Sequence, residues 1–139
     1  MPTLNRSEDV PHPQSIDFFV NAISRHGRVV GVEQIEEQIF LIKRHLLSDV
    51  LAYYTNVYII GVADVVELLD LNNGLNSIVT ASGWNSYTQD AKEYALNANV
   101  GLFKMKEFMG ALHYDGRRFI HYYPPDKDER DRKKNARRL

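Results

Sequence analysis

The chain has 139 residues, of which 44% are hydrophobic and 25% charged, the profile of one globular domain large enough to bury a continuous core. No apolar run reaches the length of a membrane helix, and MPTLNRSEDVPHPQS lacks the basic start and apolar centre of a signal peptide, so a cytoplasmic protein with no membrane partner is expected. The absence of cysteine excludes disulfide frameworks, thiol nucleophiles and cysteine-based zinc sites, and any metal would need carboxylates or imidazoles.

Residues 1–14 read as an extended or disordered segment in which Pro2, Pro11 and Pro13 space out polar residues. Ser15 then caps a short helix whose Ile16, Phe19, Val20 and Ile23 share one face, and Gly27 supplies its stop. After an apolar run at 28–32, the spacing of Ile35, Ile39, Ile42, Leu46 and Val50 predicts a helix ending near Leu47 or continuing to Tyr54. Glu33, Glu36 and Glu37 sit at its start, where the macrodipole favours negative charge.

Beyond that helix the pattern alternates. VYIIGV (57–62) reads as a strand, ADVVELLDL (63–71) as a helix opened by Asp64, LNNG as a turn and NSIVTAS as a buried strand. From Ser86, the residues Tyr87, Ala91, Tyr94, Ala95 and Ala98 make an inward stripe, while Gln89, Asp90, Lys92 and Glu93 face water. GLFKM (101–105) is a strand and KEFMGALH a closing helix; DGRRFIHYYPP then turns at Asp115-Gly116, runs as an aromatic edge strand and stops at Pro124-Pro125. Strands separated by helices imply one three-layer α/β domain over residues 15–125 with a mainly parallel sheet, a Rossmann-like or flavodoxin-like arrangement being one alternative.

The tail, 126–139, holds seven cations against four acids, a net of +3 that leaves −4 for the rest of a chain of net −1. Its Arg132, Lys133, Lys134, Arg137 and Arg138 would attract DNA or RNA phosphates through counterion release without reading sequence. A solvated terminus has the same composition, and the acidic body is unlike that of a dedicated nucleic-acid binder.

Signals for chemistry are few. His12, His26, His45, His113 and His121 are scattered with no i, i+4 pair for a helical metal site, and neither a nucleophile elbow nor a glycine-rich phosphate loop is present. The turn after the buried strand is richer. Thr80 and Ser82 offer hydroxyls, Trp84 a flat apolar face and Asn85 an amide, and Asn85 or Ser86 would cap the next helix at the carboxyl end of a strand, where open α/β sheets place ligands. A plain helix start with Trp84 folded onto the core uses the same residues.

The order of helix DVVELLDLNNG, strand LNSIVTASGW, helix NSYTQDAKEYALNAN, strand VGLF and helix KMKEFMGAL resembles the second half of Mrr-type restriction endonuclease domains, of the PD-(D/E)XK nuclease fold, over about a third of the chain. The resemblance implies a restriction-endonuclease-like sheet with an Asp at the start of one strand and a (Glu/Gln)-x-Lys on its neighbour, binding Mg²⁺ and positioning water. Laid on SDVLAYYTNVYIIGV, it puts Asp49 at the metal-binding Asp, while Ile60-Gly61-Val62 occupies the positions of the second ligand and the lysine. It therefore implies a nucleic-acid-associated domain that has lost catalysis. In another register Asp49, Asp64 and Glu67 would supply the catalytic carboxylates. Two readings of other classes stand beside it: a small-ligand or nucleotide-sensing domain with its mouth at residues 82–85, and an interaction module that dimerises through the strand FIHYY (119–123).

Overall fold

The computed structural model describes residues 9–124, so the tail bearing Arg132, Lys133, Lys134, Arg137 and Arg138 lies outside the described residues. Helix α1 (Pro13–Ser24) begins at Pro13, whose fixed φ and missing N–H suit a first helical position, and it buries Phe19 and Ile23 one turn apart. That start precedes Ser15, and Asp9, further upstream, is also buried.

The next segment corrects the expected long helix. It forms β1 (Val29–Glu36), β2 (Ile39–Arg44) and β3 (Leu47–Thr55), an antiparallel meander, and Asp49 lies on a strand. The deciding period is two. Phe40 and Ile42 join Val50, Ala52 and Tyr54 in one core, while Ile39 joins Tyr53 and the partly buried Leu51 in another. Period two buries both faces of β3 at once, which a helical stripe of the same residues could not do.

The chain then makes α2 (Val62–Leu71), β5 (Ser77–Thr80), α3 (Gln89–Asn97) and β7 (Gly101–Phe103), close to the expected positions. The sheet runs β1-β2-β3-β5-β7, with β3 parallel to β5 and β5 parallel to β7. Two antiparallel and two parallel pairings make it a mixed sheet in an α/β domain rather than a mainly parallel one. Residues 57–62 do not enter it. Only β4 (Ile59–Ile60) is a strand there, pairing with β6 (Ser86–Tyr87) in a separate two-stranded sheet.

Helix α3 is capped by Thr88, whose hydroxyl accepts the Ala91 N–H, and not by Asn85 or Ser86. Ala91 and Ala95 point inward as expected, but Lys92 is fully buried and Tyr94 is 40% exposed, a rotation of the stripe from the one predicted. Helix α4 (Met105–Ala111) follows, and then α5 (Gly116–Ile120), whose Asp115 cap accepts the Gly116 N–H. Residues 119 and 120 are helical, so the expected aromatic edge strand does not form, and β1 and β7 are the edges of the main sheet. One core packs α1, α4 and α5 on one face of the sheet and the other packs α2 and α3 on the opposite face. No helix among the described residues is long and apolar enough to cross a membrane.

At the end of the sheet where β2 meets β3, the buried Arg44 guanidinium gathers the meander and the C-terminal helices. It donates to Ser48 O at 2.9 Å, Leu112 O at 3.0 Å, Tyr114 O at 2.6 Å and the Asp115 carboxylate at 3.1 Å. Burial pushes the Arg44 pKa down and the Asp115 charge pulls it back. The turn beside it contains no glycine, and Leu46 occupies a left-handed conformation at φ 62° with its side chain 86% exposed. Such a backbone costs an L-residue roughly 1–2 kcal/mol, and glycine gives back part of that gain through unfolded-state entropy. Leu46→Gly is therefore expected to raise stability by about 0.5–1 kcal/mol in urea unfolding, as a higher midpoint at an unchanged slope; a lower midpoint would show that the Leu46 side chain contributes packing.

Candidate functional site

Polar groups converge where β3 and β5 end, because the two parallel strands finish side by side with Thr55 opposite Thr80. Asp9 is 2% exposed and brings a carboxylate into this corner from the N-terminal segment. One of its oxygens accepts from the Thr55 hydroxyl and the other from the Tyr53 hydroxyl at 2.8 Å. Its backbone carbonyl accepts from Asn56 N at 2.8 Å and from the Gln38 amide at 3.2 Å; that amide also reaches Tyr54 O at 3.1 Å. The Tyr54 hydroxyl lies 3.3 Å from Ser15 O and 3.1 Å from Ala81 O, so α1, β3 and the turn after β5 are tied at one point.

Burial sets the electrostatics. Desolvation pushes the Asp9 carboxyl above its usual value, against the hydrogen bonds of Thr55, Tyr53 and Gln38, and the charge of Asp64 adds to the rise. Burial and the Asp9 charge together drive the Tyr53 phenol far above its usual range, and burial moves Tyr54 up to about 12. Neither phenol is poised as a base near neutral pH. Asp64 reaches back from the first turn of α2 to accept the Gly61 N–H at 2.9 Å, and Glu67 lies farther along that helix.

Asp49 is at the other end of β3, six residues before Thr55 and hence roughly 20 Å away along the strand. Asp64 acts electrostatically on Asp9 at the Thr55 end, so the structure separates it from Asp49. Among the described residues no three His, Asp or Glu side chains are grouped as a metal site. Mg²⁺ asks for several free oxygens in octahedral array, and here Asp9 accepts from two hydroxyls, Asp64 from a backbone N–H, and Asp49 stands at the other end of β3. The donor set does not fit the metal that the nuclease resemblance implied. The hairpin that would have placed Ile60-Gly61-Val62 against Asp49 does not exist either; these residues link β4 to α2, and the antiparallel neighbour of β3 is β2.

The turn at residues 81–85 borders the same corner. The Thr80 hydroxyl is buried and finds no hydrogen-bond partner among the described residues, as is also true of Ser77. The Asn85 amide donates to Asn56 at 3.1 Å, and the Ser82 hydroxyl accepts the Trp84 N–H at 3.1 Å. Trp84 is 85% exposed and so is not folded onto the core. No protein-family model, curated protein or solved structure matches the chain.

No sequence pattern singles out Asp9, Gln38, Tyr53 or Thr55. The available signal is Pro13 as a first helical residue, since it moves the start of order upstream toward Asp9.

A second buried cluster lies under α3. The Lys92 ammonium donates to Leu102 O and sits over the rings of Phe103 at 4.6 Å, Tyr123 at 4.9 Å and Tyr87 at 5.3 Å. Glu107 accepts the Tyr87 hydroxyl at 2.8 Å and the Lys104 N–H at 2.8 Å, which caps α4. Burial lowers the Lys92 pKa from 10.5 to about 8, with Glu107 opposing the fall.

Each cluster gives a pH signature. Because the folded protein holds the Asp9 proton more tightly than the unfolded chain, its contribution is full below about 3.8 and is lost as pH rises through the raised folded value. The stability gap between wild type and Asp9→Asn should narrow with rising pH across that window in denaturant titrations; a gap that widened would place the Asp9 pKa below its usual value. Lys92 runs oppositely. Its folded form gives up the proton first, so wild-type stability relative to Lys92→Met should climb as pH rises from about 8 toward 10.5, and a flat difference would mean that Lys92 titrates normally.

Proposed function

We propose that this chain is a nucleic-acid-associated domain of restriction-endonuclease-like architecture that binds without cutting. Support comes first from the order of elements: a helix, a three-stranded antiparallel meander, then parallel crossovers that extend the sheet past β3. In the nucleases that the sequence resembles, the acid and the (Glu/Gln)-x-Lys stand on adjacent strands. Here the adjacent strands are β2 and β3, and Ile39 at the start of β2 pairs with Tyr53 near the end of β3.

The side chains at that point carry the reading. On this reading, with β2 and β3 as the pair, the acid position falls on Ile39, which opens β2, and the second ligand and the lysine fall on Tyr53 and Thr55, two apart on one face of β3. Neither brings a positive charge to support an attacking water. The carboxylate in the corner, Asp9, arrives from outside the sheet and accepts a hydrogen bond from each of those two side chains, so it closes the end of the sheet as a structural plug.

Binding needs no such machinery. Lys104, Lys106, Arg117 and Arg118 are exposed on the C-terminal part of the described chain, and the tail adds its net +3. Phosphate contacts of this kind give affinity that is independent of sequence and steeply dependent on salt. A small-ligand mouth at residues 82–85 has less to draw on, since the Thr80 hydroxyl is buried and the Asn85 amide is committed to Asn56.

The test uses the full chain with Mg²⁺ or Mn²⁺ and duplex, single-stranded and modified DNA, beside Asp49→Ala and Asp64→Ala. Salt-sensitive binding without cleavage is expected, and removing residues 126–139 should lower the log–log salt slope by roughly 0.7–0.9 for each phosphate that the tail neutralises. Metal-dependent cleavage abolished by either substitution would overturn the reading, as would binding indifferent to salt.

A further inference from the structure

Immediately before the cationic tail, the described chain ends in a small platform of stacked rings. The Tyr114 and Tyr122 rings lie 5.7 Å apart at 26°, and the Arg118 guanidinium covers Tyr114 at 4.7 Å. With His121 and Tyr123 they line an open hollow of about 380 Å³. Tyr123 rests on the Lys92 ammonium yet leaves 51% of its surface exposed. Backbone geometry holds the platform in place: a methyl group at Gly110 would overlap the Tyr122 ring, so α4 approaches that ring as closely as only glycine permits.

The local sequence is net positive. From Gly101 to Pro124 the chain carries Lys104, Lys106, Arg117 and Arg118 against Glu107 and Asp115, a local net of +2. Both acids are already engaged, Glu107 with Tyr87 and Asp115 with Arg44. Beyond Pro124 the sequence continues into the segment of net +3. Flat aromatic and guanidinium faces in positively charged surroundings are the chemistry that takes unstacked bases on a phosphate backbone. A duplex keeps its base faces stacked on one another and offers nothing to such rings.

We propose that Tyr123, Arg118 and the Tyr114–Tyr122 stack form a base-stacking site for single-stranded nucleic acid, with the exposed Arg117 and Arg118 of α5 holding its phosphates. This deepens the nucleic-acid reading above and rests on it. The rings supply preference for single strands over duplex; the cations supply affinity and salt dependence. DNA and RNA strands share this chemistry and are both bound.

Fluorescence anisotropy on the full chain would compare labelled oligo-dT, oligo-rU, an abasic strand of equal length and a duplex. The single strands should bind at least tenfold more tightly than the abasic strand. Tyr123→Ala should weaken single-strand binding roughly tenfold with the salt slope unchanged, and Tyr123→Phe should restore it, because the ring carries no charge. Arg118→Ala should lower both affinity and slope. Since Tyr123 is half exposed, circular dichroism is expected to show its variants folded, and quenching of a 2-aminopurine strand by wild type gives a stacking signal that needs no variant. If nucleic acid binds but abasic and base-bearing strands bind alike, or Tyr123→Ala is silent, the stacking site is overturned while the nucleic-acid reading stands. Competition by polyglutamate as strong as by oligonucleotide would identify an acidic-protein surface and overturn it as well. No binding to any strand removes both.

Discussion

The central strand β3 constrains the rest of the molecule because it has no free side. It is paired on both edges, antiparallel to β2 and parallel to β5, and helices cover both of its faces. Every side chain near its carboxyl end must therefore be accommodated inside the protein. Tyr53 and Tyr54 point to opposite faces, and each carries a hydroxyl into surroundings where an unmade hydrogen bond costs about 1–3 kcal/mol. The two solutions differ. Tyr54 uses backbone carbonyls from α1 and from the turn after β5, whereas Tyr53 requires a carboxylate from beyond the sheet. On the proposed reading, Asp9 is thus a consequence of placing a phenol where a nuclease places a metal ligand.

Ion burial at the other places in the fold obeys the same rule of local satisfaction with different chemistry. Arg44 spreads its donors over three backbone carbonyls and one carboxylate, so a single side chain closes the ends of the meander onto the C-terminal helices. Lys92 has one carbonyl and three ring faces, a softer cage, and its pKa falls to about 8 accordingly. Arginine keeps its charge through planar, multiple donation, while the ammonium yields to desolvation. The first is a rigid clasp and the second a group whose charge depends on its cover, including Tyr123 at the rim of the stacking platform.

How far the sequence can be read depends on which periodicity a segment permits. From residue 62 to 111 the chain obeys separate rules for each element: a short wholly buried strand at 77–80, helices with an apolar stripe, and turns marked by Asn and Gly, so those elements are legible. From 29 to 55 two periods overlap. Ile35, Ile39, Ile42, Leu46 and Val50 fit a helix, and Phe40, Ile42, Val50, Ala52 and Tyr54 fit strands equally well. The turn that would separate them is hidden, because Leu46 adopts the left-handed backbone that Gly or Asn usually announces. At the C-terminus the opposite error arises: Phe119 and Ile120 have strand-like composition, but Asp115 caps a helix through them.

The candidate site is legible only at its margins, for a physical reason. Thr80 and Asn85 are visible because they sit at and after a strand in sequence and border the corner in space. Asp9 joins Tyr53 and Thr55 across 44 and 46 residues, and no local pattern encodes an interaction of that span. A catalytic motif would be easier to find, since two ligands on one strand keep a fixed spacing. A plug need only bring any acceptor to two hydroxyls, and many sequences can do so. On the proposed reading, losing a nuclease centre erases the short-range signature first, while the sheet order, set by apolar burial on both faces of β3, persists. The conspicuous remainder is surface chemistry: an exposed indole at Trp84, and partly exposed rings and a guanidinium within residues 114–123, followed in sequence by a cationic tail. On the proposed reading, exposed faces of this kind are where a domain without a catalytic centre keeps its function.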